Sequence, residues 1–190
     1  MALRDIVVLG DPVLRTVAEE VREIDDSIRA LAEDMMQTMM EAPGIGLAAP
    51  QVGVSLRLIT LDLEEIHGPL VNPRIIRTSK EQESDLEACL SIPEVQGLVR
   101  RPSSIVVKGL DLNGRDAVIR AEGLVARCLQ HEIDHLDGVV YLDRVSDPKV
   151  KVYYPVPDAD GEGAVYESEL VAVEEVRRRF EARYASKAPA

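Results

Sequence analysis

Between Gly123 and Leu136 the residues fall on a helix with one wide apolar side. At roughly 100° per residue, Leu124, Val125, Cys128, Leu129, His131, Glu132, Ile133, His135 and Leu136 share one arc. Arg127, Gln130, Asp134 and Asp137 occupy the rest, and Gly138 supplies the left-handed residue on which such a helix stops. An arc this broad predicts a helix set centrally in the molecule. A second helix is predicted from Asp25 or Asp26 to just before Pro43, with Ile28, Leu31, Ala32, Met35 and Met39 recurring at three and four. Met35, Met36, Met39 and Met40 there read as flexible core filling.

Alternating or β-rich runs predict strands over Ile6–Leu9, Ser55–Asp62 and Leu70–Ile76, the last with an edge or bulge at Pro73. The plainest hairpin joins Ser104–Leu112 to Arg115–Ala121 through Asn113-Gly114, a pair that favours a type I′ turn. Leu61–Pro69 reads as an acidic loop with an exposed His67, and the polar Thr78–Glu87 as another loop. Glu167–Tyr184 returns to a helical pattern, with Arg177, Arg178, Arg179 and Arg183 near its end complementing the helix dipole. With strands in the middle and helices at either side, the expected class is α+β, antiparallel strands packed around a central metal-binding helix.

Composition changes past Leu142, where Tyr153–Gly163 is turn-rich and acidic. The expected organisation is a catalytic domain over 1–147 and a C-terminal extension over 148–190. The chain has 190 residues, 46% of them hydrophobic, and no run near the ~20 apolar residues that cross a bilayer. Its first ten residues lack signal-peptide character, which points to the cytoplasm. A formal net charge of −12 argues against non-specific nucleic-acid binding, and no specific DNA binding is expected. Two cysteines make no disulfide framework; metal ligation or burial suits them better.

The chemistry concentrates in His131-Glu132-Ile133-Asp134-His135. Imidazoles at i and i+4 on one helical face are close enough to hold a single metal ion, and Glu132 lies beside them, which is a metal-hydrolysis signature. Two of the chain's three histidines are here. A third ligand must come from elsewhere. Cys128 precedes His135 by seven residues, roughly 10.5 Å along the axis, which suits a buried inert thiol better than a shared ion. Cys89, within Leu86–Pro93, approaches from outside the helix, although spacing alone does not choose it. The stretch Pro43–Gly53 has closely spaced glycines, two alanines and one amide, Gln51; helix cap plus turn and close backbone approach describe it equally, and without a Lys-Ser/Thr ending it is no phosphate loop.

Three separated segments, Gly44-Ile-Gly-Leu-Ala-Ala-Pro-Gln51, Glu87-Ala-Cys-Leu-Ser91 and Gln130-His-Glu-Ile-Asp-His135, together resemble the three motifs of peptide deformylase of the bacterial type. Gly10-Asp-Pro-Val-Leu-Arg15 and Val71-Asn-Pro73 extend the similarity over about residues 4 to 146. The resemblance implies a hydrolase in protein biosynthesis that takes the formyl group from the N-terminal formyl-methionine of nascent polypeptides and releases formate. It implies Fe2+ as the metal, replaceable by Zn2+, Ni2+ or Co2+, with Cys89, His131 and His135 as ligands and Glu132 as general acid/base. Gln51 and the Leu90 N–H would meet the carbonyl oxygen; Ile45 and Gly46 would hold the substrate's main chain. Ala88 stands where the family usually has glycine, which bears on the substrate wall. Arg101 and Asp134 match polar positions behind the metal. The implied partners are formyl-methionyl peptides and, through the basic end of the last helix, the ribosome. The competing readings are a zinc metallopeptidase of the same His-Glu-x-x-His type and a non-catalytic, metal-stabilised family member.

Overall fold

Asp25 accepts the Ile28 N–H on its carboxylate and so opens α1 (Asp26–Glu41), which ends at Ala42. Its buried stripe of Ile28, Leu31, Ala32, Met35 and Met39 packs against Leu47, Leu58 and Val71, while Met40 faces solvent. These are details of a computed structural model that describes residues 2–157 and 164–186.

Two antiparallel sheets carry the rest. The first has the order β1-β2-β3-β6-β7, made of β1 (Gly46–Ala48), β2 (Leu58–Leu63), β3 (Ile66–Thr78), β6 (Ser104–Leu110) and β7 (Asp116–Glu122). The second has the order β4-β5-β8-β9, made of β4 (Gln82–Cys89), β5 (Ile92–Pro102), β8 (Lys149–Pro157) and β9 (Ala164–Ala172). Helix α2 (Gly123–Leu136) touches strands of both sheets. The α+β class and the central helix therefore hold.

The polar arc of α2 is not a solvent face. Arg127, Gln130 and Asp134 are buried, and Leu124 at the apolar edge is 59% exposed. The cause is the second sheet, which covers that arc with ion-pair partners from β4 and β5. The segment expected as a loop over Thr78–Glu87 is largely β4, registered against β5 from Gln82↔Pro102 to Ala88↔Gln96. Its polar character is that of an edge strand with charged side chains turned outward. Ile6–Leu9 forms no strand; its amides are spent one at a time, Val7 on the Gln51 carbonyl and Leu9 on that of Ser91. Pro73 does sit in a register shift between Val71 and Arg74. The β6–β7 connection is wider than a type I′ turn: only Gly114 has positive φ, and Asp111 Oδ1 accepts the N–H of both Asn113 and Arg115. His67 is exposed, as expected, and pairs with Asp62.

The C-terminal helix begins later than the pattern suggested. Residues 167–172 belong to β9, and α3 spans Val173–Ala185. Val171, Val173, Val176 and Phe180 share one apolar core with Cys89, Ile92, Val95, Tyr141 and Val150. The extension thus packs onto the body of the chain, and Gly10 with φ +112° lies directly beneath Tyr184. Truncating Phe180, 9% exposed, to alanine should cost about 3 kcal/mol in urea unfolding. A loss below ~1 kcal/mol would mean that α3 adds little to the core.

Candidate metal centre

Helix α2 carries both imidazoles on its inner side, and β4 brings the sulfur. Cys89 sits at the end of β4, where the Cys89↔Ile92 pairing turns the chain back into β5. Its Sγ lies 3.2 Å from His135 Nε2. One donor atom from each of Cys89, His131 and His135 lies within 4.8 Å of the other two, and all three residues are buried. Tetrahedral bonds of about 2.0–2.3 Å place donors roughly 3.3–3.8 Å apart, so a single ion fits this spacing after small side-chain adjustments. Cys128 is buried, and its thiol, pushed up by burial and by the nearby Glu132 charge, leans 3.7 Å from the Ile45 carbonyl.

Orientation comes from behind. Glu87, two residues before Cys89 on the same face of β4, accepts at 3.0 Å from His131 Nδ1, which leaves Nε2 for the ion. The Glu87 carboxylate is also gripped by Arg101 at 2.6 and 2.8 Å and by Arg127 at 2.8 Å. Burial alone would raise its pKa, but the Arg101 and His131 hydrogen bonds outweigh it and hold the group well below the usual carboxylate range. Arg101 in turn donates to Asp134 at 2.7 Å. Tyr141 stacks against His131 with ring centroids 5.9 Å apart and donates its hydroxyl to the Val95 carbonyl.

Glu132 is the exception to this satisfaction. Its Oε2 is buried without a hydrogen-bond partner, as is Nδ1 of His135. Burial pushes Glu132 up to about 7, with Glu87 adding to the rise and His131 opposing it. A group of that kind holds or gives up a proton near neutrality. Gly46 explains itself here: a Cβ on it would fall 2.5 Å from Glu132 Oε1 and 2.8 Å from Cys128 Sγ, so only glycine lets β1 pass across the helix at this point. Of the two readings of the Pro43–Gly53 stretch, the close backbone approach is present, alongside a short 3-10 turn over Ala49–Val52.

Gln51 closes the group. Its Oε1 accepts the Ala48 N–H at 2.8 Å, which fixes the amide so that Nε2 points at Cys89 Sγ, 3.4 Å away, and Ser91 Oγ, 3.3 Å away. Together Ile45, Gly46, Gln51, Ala88, Leu90 and Glu132 line a cavity of about 480 Å³ that also reaches Leu86, Leu124 and His131. Every site residue expected from the sequence borders this cavity except His135, which is fully buried. The residues missed were Glu87, Arg127 and Tyr141. Glu87 had a readable signal, since alternation along a strand puts it on the same side as Cys89.

Comparison with known proteins agrees with this geometry. Residues 3–151 match the family model for polypeptide deformylase. The peptide deformylase of Natranaerobius thermophilus is 50% identical over 149 residues, covering 77% of this chain and 95% of that protein. A crystal structure of the Synechococcus elongatus peptide deformylase in complex with actinonin superposes with TM-score 0.74 at 50% identity, over 76% of this chain and 79% of that one. A peptide deformylase from Legionella pneumophila, 34% identical with TM-score 0.77, covers 99% of this chain and 100% of its own, so its alignment extends through β8, β9 and α3.

Proposed function

The chain belongs to the peptide deformylase family, hydrolases that remove the N-formyl group of nascent polypeptides, and from that premise we propose how its residues divide the work. The observation that carries the reading is the meeting of Cys89, His131 and His135 beside a buried, unpartnered Glu132 carboxylate. These three residues hold one divalent ion, and Fe2+ is the ion we infer from the family resemblance. Such an ion, when bound by three protein ligands, makes water nucleophilic near neutral pH and polarises a carbonyl.

The protein groups do the rest. Glu132 takes the proton from the attacking water and later delivers it to the leaving amine, which frees the peptide as formate departs. Gln51 Nε2, held by the Ala48 contact, and the Leu90 N–H donate to the formyl oxygen as negative charge builds on it. Ile45 and Gly46 hold the substrate's main chain. Leu86 and Leu124, half exposed at the cavity's edge, offer apolar contact to a methionine side chain. The Ala88 methyl adds to that wall, and β4 keeps negative backbone φ there, so it is tolerated.

The family's substrate is the nascent chain, so we assign the protein to the cytoplasm; no helix among the described residues is long and apolar enough to cross a membrane. For the ribosome, we propose the basic end of α3 as the attachment, with Arg183 in its last turn and three further arginines that have acidic neighbours. Arg177 pairs with Asp143 and Glu174, Arg178 with Glu175, and Arg179 with Glu169 and Glu175. The test of the whole reading is formate release from a formyl-methionyl peptide by metal-loaded protein. Cleavage at internal peptide bonds without formate would favour the metallopeptidase alternative, and metal-dependent stability without either activity the non-catalytic one.

Replacing Gln51 by leucine should lower kcat by about 10² to 10³, the usual cost of one oxyanion donor, while metal content stays stoichiometric. Equal kcat in the variant would remove Gln51 from the reaction.

A further inference from the structure

Past the groups that touch the candidate ion lies a longer run of ion pairs that ends at the surface. Asp134, which does not line the cavity, is buried and receives two arginines. Arg101 reaches its Oδ2 at 2.7 Å, and Arg144 clasps both oxygens, Nε to Oδ2 at 2.5 Å and Nη2 to Oδ1 at 2.6 Å. The Arg144 side chain is 46% exposed, whereas those of Arg101 and Glu87 are 4% and 3%. A continuous series of charged contacts therefore runs from solvent at Arg144 through Asp134, Arg101 and Glu87 to His131 Nδ1.

We propose that Arg144 is a positioning residue for the metal site, holding the His131 ring in place through the Asp134, Arg101 and Glu87 chain. Two features give it leverage. Each buried link shares its partners with the next, so a carboxylate that loses one donor draws harder on the remaining one. Without Arg144, Asp134 keeps only Arg101, and the Arg101 fork is pulled from Glu87, the acceptor that orients His131. Arg144 also follows the turn Tyr141–Asp143, its own N–H donating to the Tyr141 carbonyl at 2.9 Å. That turn stacks Tyr141 on His131 and is pinned by Asp143, whose carboxylate takes Arg15 at 2.5 Å and Arg177 of α3 at 2.7 Å. Arg144 thus ties the turn that covers one face of the ring to the chain that holds its edge.

The inference rests on the assignment of Cys89, His131 and His135 as ligands, so the test reads the metal itself. Co2+ affinity by chelator competition, and the visible spectrum of the Co2+-loaded full-length chain, would be measured for wild type, Arg144→Ala, Arg144→Lys and the exposed Arg100→Ala. The expected result is a roughly tenfold loss of affinity and an altered spectrum in Arg144→Ala, with an intermediate loss in Arg144→Lys, whose single ammonium cannot grip both oxygens. Arg100→Ala, which removes the same charge from a neighbouring strand, should match wild type. Wild-type affinity in both Arg144 variants overturns the positioning role even if melting temperature falls, and so does an equal loss in Arg100→Ala. A wild-type chain that takes up no Co2+ overturns the ligand assignment as well.

Discussion

Glu132→Gln should release formate from a formyl-methionyl peptide about 10² to 10⁴ times more slowly than wild type while binding the same one equivalent of metal. The glutamine keeps the size and the acceptor oxygen of the side chain but neither takes nor returns a proton. Its neighbours are already satisfied: His131 by Glu87, and the backbone by the helix. The substitution therefore removes the proton carrier without disturbing the ligands. It also removes a buried carboxylate whose Oε2 has no partner, so melting temperature should hold or rise. Full activity in this variant would take Glu132 out of the reaction, and loss of metal together with activity would make it a structural group.

Cys89→Ala has the complementary signature. Two imidazoles on one helix remain, but the only ligand from outside α2 is gone, and the variant should emerge from dialysis with substoichiometric metal and no detectable formate release. The small side chain leaves the β4 to β5 reversal in place, so secondary structure by circular dichroism should match wild type. The same variant retaining a full equivalent of metal and its turnover would show that the sulfur is not a ligand. Read together, the two variants separate holding the ion from moving the proton.

How much of this was readable beforehand depends on the distance over which each feature is decided. His131, Glu132 and His135 are set by a single turn of helix, and α1 by an apolar stripe with its own cap; local spacing suffices for both. Cys89 and His135 are 46 residues apart, and no periodicity joins them, so only the resemblance singled out the sulfur. Gly46 was expected, by resemblance, to hold the substrate's main chain; that β1 crosses α2 there within reach of Glu132 is a contact only the fold supplies. Polar pattern alone was uninformative where charge is buried in pairs: Arg127 and Asp134 fell outside the apolar arc, and each meets partners supplied by another part of the chain. Edge position hid β4, and Pro155 and Pro157 made the β8–β9 hairpin resemble irregular turn. In each miss, the deciding contact comes from a distant segment.

The central claim is that one sulfur and two ring nitrogens share an ion with a coordination position left for substrate or water. X-ray absorption at the metal edge of the loaded protein tests it most directly. The account predicts one sulfur at about 2.3 Å, two nitrogens at about 2.0–2.1 Å and a light atom that exchanges with solvent or inhibitor. A first shell without sulfur, or one filled by four protein ligands, would contradict it.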